Sequence, residues 1–141
     1  MSAGLRIVVV GGVAAGPKAA ARARRLDPEA EITIVERDEI LSYAGCGLPY
    51  YVSGMVEDRN ELMATPIGVL RDPQFFAKVK GINVLNRTEA TAIDREACEL
   101  EVRDLASGEV RRLPYDRLII ATGAEPVHPP IPGADNPTSS A

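Results

Sequence analysis

Residues 5–36 read "LRIVVVGGVAAGPKAAARARRLDPEAEITIVE", and this run restricts the possible fold more than any other part of the chain. Leu5 to Val10 is a β-branched run of the kind that forms a strand buried on both faces. Glycines follow at once, and "KAAARARRL", rich in the strong helix formers alanine and arginine, predicts a helix from about Ala14 to Leu26. "DP" at Asp27 and Pro28 stops that helix, and "EITIVE" at 31–36 is a second β-branched strand. The opening is therefore a βαβ unit, which predicts two parallel strands joined by a right-handed crossover.

The turn between the first strand and the helix, "GGVAAG", has the chemistry of a phosphate cradle. Gly11 allows the tight turn and Gly16 lets helix and strand approach. The helix start behind Gly12, Val13, Ala14 and Ala15 offers unpaired N–H groups and a positive dipole end. The spacing G-x-G-x-x-G asks for glycine at 13, where Val13 stands, so the pattern alone is weak. Glu36 ends the second strand twenty positions after Gly16, where an acid can hydrogen-bond the ribose hydroxyls of a dinucleotide. Strand, glycine turn, helix, strand and terminal acid agree on dinucleotide binding.

Downstream, 42–80 reads as loop with short helices, the last being "PQFFAKVKG" closed by a C-capping Gly81. "INVLN" at 82–86 is a short strand. "EATAID", "CELEVRD" and "EVRRLP" form an antiparallel meander with a turn at "ASG", and "RLIIAT" feeds back into the main sheet. The expected fold class is α/β, Rossmann-like and three-layered, with a parallel sheet and a small antiparallel β-meander. The domain boundaries expected are 1–124 for the folded unit and 125–141 for a proline-rich exit linker, in which the lone His128 has no assigned role.

Net charge is −4 over 141 residues, with no dominant basic face, which argues against nucleic acid as a partner. The apolar run near the start is too short for a membrane span and is broken by glycines. A cytoplasmic location is expected, and two cysteines 52 positions apart have neither metal-ligand spacing nor an oxidising compartment to join them.

Four stretches in order, "VVVGGVAAGPKAAARARRL", "ITIVERD", "SYAGCGLPYYVSG" and "LIIATGAEPVHPPIPG", resemble the FAD-dependent pyridine nucleotide-disulfide oxidoreductases. The branch resembled most is the single-cysteine group of coenzyme A disulfide reductases, NADH oxidases and persulfide reductases. The resemblance implies FAD at Gly11 to Gly16, Glu36 and Arg37. It also places Ala90 where main chain meets the adenine, and "ATG" at Ala121, Thr122 and Gly123 as a second flavin motif. In this branch valine at the middle of the glycine turn is usual. The resemblance further implies NAD(P)H as electron donor and a homodimer for the full-length protein. It makes this chain the N-terminal FAD-binding piece of a longer enzyme.

Cys46 admits three readings. A buried apolar role fits poorly with Gly45 and Gly47 on either side, and a disulfide at the C-x4-C spacing finds only Leu41 or Tyr51 as partner. If "LPYYVSG" opens a helix, Cys46 stands at its N-terminus, where a thiol is favoured as thiolate. In the resembling family this sulfur attacks a disulfide or persulfide beside the flavin, or cycles through sulfenic acid in the oxidases. A bare nucleotide-binding module without catalysis is the non-enzymatic alternative. Cys98 alternates with Glu99 and Glu101 on the side of Leu100 and Val102, so core packing is expected for it.

Lys18, Arg22 and Arg25, spaced i, i+4, i+7, make a basic stripe on the first helix, either a solvated face or one that meets phosphates. In coenzyme A disulfide reductases the positions matching Lys18, Arg22, Arg25, Ser42 and Lys80 contact the coenzyme, while Gly45 stands where those enzymes have asparagine. The substrate implied is a small disulfide or persulfide linked to coenzyme A.

Overall fold

The computed structural model describes residues 4–125, 127 and 130–132. The expected βαβ opening is present as β1 (Arg6–Val10), α1 (Ala15–Leu26) and β2 (Glu31–Val35). β1 pairs in parallel with β2, setting Val8 opposite Thr33. Its other edge pairs in parallel with β7 (Arg117–Ile120), and β3 (Asn83–Leu85) adds to β2, giving the order β3-β2-β1-β7.

Alternation along these strands divides the core in two. Ile7, Val9, Ile32 and Ile34 face one side with Ala20 of α1, Leu41, Phe76 and Ile82. Val8 and Val35 face the other, where Leu100, Val102 and Tyr115 cover them. Burying one such branched side chain contributes about 1.5–3 kcal/mol, so the sheet holds only because both faces are covered.

The second cover is the meander of β4 (Thr88–Asp94), β5 (Glu99–Asp104) and β6 (Val110–Pro114), antiparallel in that order with a bulge between Ala90 and Ala92. Helices, parallel sheet and meander are the three layers.

Two details differ from the sequence reading. Cys98 is exposed and does not pack in the core. The turn after Asp94, whose Oδ1 accepts from the N–H groups of Glu96 and Ala97, ends with Cys98 at φ 55°, and the strand starts only at Glu99. A left-handed residue breaks the two-residue alternation, so the parity that points Leu100 and Val102 inward does not extend to Cys98. The helix closing on Gly81 begins as α3 (Pro73–Phe75), capped by the Asp72 carboxylate, and continues as a π-helical turn Phe76–Lys80.

β7 is anchored to β1 by a fork. The Arg6 guanidinium donates to both carboxylate oxygens of Asp116, at 3.1 and 2.8 Å, and the Arg6 backbone N–H donates to Oδ2 at 2.7 Å. These bonds, the guanidinium first and the backbone N–H second, hold the Asp116 carboxyl down at about 2, from an ordinary 3.8. A carboxyl depressed in the folded state stabilises fully above its unfolded value and loses that contribution as pH falls through its folded value. Asp116→Asn is therefore expected to melt below the parent chain at pH 6, with the gap in Tm closing between about pH 4 and about pH 2. A gap that stays constant with pH would remove this assignment.

Candidate functional site

The chain runs from β1 through α1 and β2 to β3 in one direction, while β7 lies on β1's other edge. Ligands of such sheets bind beyond the carboxyl ends of the strands where the order reverses, which here is the end of β1 beside β7. The glycine turn lies there. Gly11 has φ 108°, donates its N–H to the Val35 carbonyl at 2.9 Å, and a Cβ on it would overlap the Ala121 carbonyl oxygen. A Cβ on Gly16 would overlap the Gly11 carbonyl oxygen and lie 3.1 Å from Val9 Cγ1.

Gly12 is crowded by the acid at the end of β2. A Cβ on Gly12 would come 3.0 Å from both Glu36 Cβ and Oε2. Val13, next to it, is half-buried.

Behind this cradle α1 starts at Ala15, with Ala14 at its N-cap giving no side-chain cap and with no acid in its first turn, so its leading N–H groups are left for an anion. A groove of about 410 Å³ opens here, lined by Gly11, Glu36, Arg37, Ala90, Thr122 and Gly123. Gly12, Val13, Ala14, Ala15, Gly16 and Ala121, which were also expected at the cofactor, do not line it. Glu89, which begins the strand expected to meet the adenine, also lines it, as does Thr88, which was missed in the sequence because the start of β4 carries only a strand signal there.

Glu36 is only 7% exposed. Its Oε2 accepts from Gly12 N–H at 2.5 Å and its Oε1 from Asp38 N–H at 2.9 Å. Each oxygen keeps a further lone pair, which a ribose hydroxyl can use. Crowded glycines, an uncapped helix start and a fixed acid fit the phosphates and ribose of FAD. Glu36→Ala orphans the buried Gly12 N–H and is expected to cost about 1–3 kcal/mol in thermal or urea unfolding. Glu36→Gln, which keeps one carbonyl oxygen, should lose less.

A second cleft, of about 460 Å³, lies on the other side of the α1 start. It collects Lys18, Arg25, Ser42 and Lys80, four of the five residues the sequence assigned to substrate, and adds Arg71 and Phe75. Arg22 does not line it. At 3.6 residues per turn Arg22 lies about 40° from Lys18 on one side and Arg25 about 20° on the other, so Arg22 leans off the cleft.

Lys80 reaches the cleft because the π turn places it above Phe75, five residues back, with Nζ 5.9 Å from the ring centroid. Arg24 holds the two walls together, donating to the carbonyls of Pro28 at 2.7 Å and Gly81 at 2.6 Å.

The cleft contains four cations, Lys18, Arg25, Arg71 and Lys80, and no carboxylate. Among the described residues none of the four is in an ion pair. In a chain of net charge −4 this concentration is local, and it suits a ligand with several negative charges.

Cys46 is exposed and lines neither cleft. It sits in a single 3₁₀ turn, Gly45–Gly47, ahead of α2 (Leu48–Val52), with Pro49 in the first turn of that short helix as expected. Ala44 N–H donates to the Leu62 carbonyl at 2.8 Å, and a Cβ on Gly47 would meet Leu62 Cδ2 at 2.5 Å. Glycine thus lets the thiol-bearing turn lie on Leu62. The segment runs from Ser42, on the cationic cleft, to Leu48, on an apolar cleft of about 400 Å³ with Tyr43, Tyr51 and Met63. His128 lies outside the described residues.

Among the described residues no group of acids, cysteines or histidines has metal-binding geometry, and no helix is long and apolar enough to cross a membrane.

Known proteins share this architecture. A coenzyme A disulfide reductase of Staphylococcus haemolyticus is 38% identical over 119 residues, 84% of this chain and 26% of its own length. The structure of an NAD-dependent persulfide reductase from A. fulgidus superposes with TM-score 0.89 at 46% identity, over 93% of this chain and 24% of that one. A water-forming NADH oxidase from Lactobacillus brevis gives 0.80 at 30% identity, over 93% of this chain and 28% of that one. The chain thus spans about a quarter of the length of the relatives it matches. The family pyridine nucleotide-disulphide oxidoreductase matches residues 5–140, from the strand that opens the glycine turn to well past the one that returns beside it, and this chain belongs to that family.

Proposed function

We propose that this chain is the FAD-binding part of an NAD(P)H-dependent flavoprotein that reduces coenzyme A disulfide or coenzyme A persulfide, with Cys46 as the redox nucleophile. The observation that carries this reading is the cleft of four cations without a carboxylate, which shares the segment of Ser42 with Cys46. Coenzyme A brings a diphosphate and a further phosphate at one end and sulfur at the other. A cationic site beside an exposed thiol answers both ends.

Residues 1–124 are the FAD-binding domain and 125–141 the linker in this reading. Lys18, Arg25 and Lys80 attract the phosphates, and Ser42 borders the path to sulfur. Cys46 Sγ, as thiolate, attacks one sulfur of the substrate disulfide, forming a mixed disulfide and releasing one coenzyme A thiolate. FAD held by the glycine turn and Glu36 would supply the two-electron reducing chemistry, with NAD(P)H as the electron source, by which the mixed disulfide takes up two electrons and two protons to give two thiols. With a persulfide the outer sulfur leaves as sulfide. Two free, exposed thiols suit a reducing cytoplasm, and the dimer of the full-length protein belongs to the same proposal.

The test is mass spectrometry of the chain after exposure to coenzyme A disulfide. One coenzyme A adduct on the peptide of Cys46 is expected. A dimedone-trapped sulfenate on Cys46 with no coenzyme A adduct would overturn the reading in favour of an oxidase.

A further inference from the structure

Of the four cations in the second cleft, Arg71 differs from the rest. Lys18, Arg25 and Lys80 are exposed, and Arg71 is half-buried. Exposed charges are weakened by water and salt, whereas a partly buried guanidinium is screened less.

Arg71 is also fixed at both ends. A tight turn brings it back to the cleft: Ala64 bridges Leu70, Gly68 adopts φ 80°, and Arg71 N–H donates to the Met63 carbonyl at 3.0 Å. At the far end Nη1 donates to the Ser42 carbonyl at 3.4 Å. Ser42 in turn has φ 52° and donates its N–H to the Gly12 carbonyl at 2.7 Å. One of the five guanidinium N–H groups is used on Ser42, and no carboxylate among the described residues takes the others.

We propose that Arg71 is the principal specificity-determining residue of this cleft: it selects a phosphate-bearing thiol carrier over a neutral one. Its free N–H groups bind a phosphate of the ligand, while its bond to Ser42 keeps the donor fork pointed into the cleft. The inference rests on the coenzyme A reading and deepens it. Sequence spacing gave no sign of Arg71, because it lies off α1 in a segment without periodicity.

The test compares binding of reduced coenzyme A with that of pantetheine, its counterpart without phosphate, by calorimetry on this chain under reducing conditions. Arg71→Met is expected to weaken coenzyme A about tenfold or more and to leave pantetheine unchanged. Lys18→Met should weaken coenzyme A by no more than about threefold, as for an exposed charge. Arg71→Lys, which keeps the charge and is a second check should the Met variant fold poorly, should recover part of the loss but not all, since an ammonium does not offer a planar fork.

Equal loss of both ligands in Arg71→Met and Arg71→Lys would show that Arg71 only braces Ser42, and would overturn the proposal. So would coenzyme A binding that ignores both substitutions. Failure of the unsubstituted chain to bind coenzyme A at all would overturn the reading of the cleft itself, a result separate from the other two.

Discussion

Cys46→Ser is expected to abolish the coenzyme A adduct that the parent chain forms with coenzyme A disulfide, and Cys98→Ser to leave it intact. Exposure does not separate the two thiols, since both are free and exposed. Their surroundings do. Cys98 closes the β4–β5 turn, and its Sγ points at the Arg95 carbonyl 3.6 Å away. Cys46 is exposed on a turn that leads from the cationic cleft at Ser42, between two glycines. A polyanionic disulfide is drawn to the second place and not to the first.

Salt gives the comparison a further axis. Raising ionic strength from about 0.01 M to about 1 M shortens the screening length from about 30 Å to about 3 Å, which should slow adduct formation at Cys46 strongly. The reaction of Cys46 with a neutral disulfide should not slow in the same way. The measurement is the rate of adduct appearance by intact-mass spectrometry at each salt concentration. An adduct that survives Cys46→Ser, or that disappears with Cys98→Ser, would refute the assignment of the nucleophile.

The sequence was legible where side-chain chemistry repeats with the period of the element. β1, α1 and β2 carry β-branched and alanine-rich runs with a glycine turn between them, and their bounds fall within a residue or so of expectation. The meander was legible for the same reason, with one of its turns marked by the residues ending at Gly108; the turn-forming bonds of Asp94 and Asp104 came only with the structure. Legibility failed where a single residue changes the phase. Cys98 in a left-handed conformation ends the alternation one residue before the strand. The π turn inserts one residue into a helical run, and that moves Lys80 over Phe75.

The site divides along the same line. Gly11 reaches one cleft and Lys18 and Arg25 of α1 reach the other, while the helical angle turns Arg22 aside. Arg71 comes in from a loop whose path depends on one bridge and one left-handed glycine, neither visible as a period. Cys46 could be singled out by its flanking glycines, but not its support on Leu62, which is a tertiary contact.

Gly16→Ala is expected to cost about 1–3 kcal/mol or more and to abolish FAD binding, because the space a methyl group needs is already held by backbone on one side and a core side chain on the other. The new Cβ overlaps the Gly11 carbonyl oxygen and presses on Val9 Cγ1. Gly11 is held in place, since its N–H is bonded to the Val35 carbonyl and the Ala121 carbonyl occupies the space beside it that a Cβ would take. α1 must therefore move away from β1, and with it the uncapped N–H groups that the pyrophosphate needs. Gly54→Ala is the control. Gly54 has φ 78°, and a methyl group added to it would find nothing within 4 Å, so that substitution carries only left-handed strain, about 1–2 kcal/mol, and no crowding. The two variants are compared by Tm and by the flavin absorption retained after addition of FAD and gel filtration. Gly54→Ala should keep the flavin at the level of the parent chain, and Gly16→Ala should lose it. If Gly16→Ala melts with the parent and holds FAD equally well, the close approach of α1 and β1 is not what shapes the cofactor site.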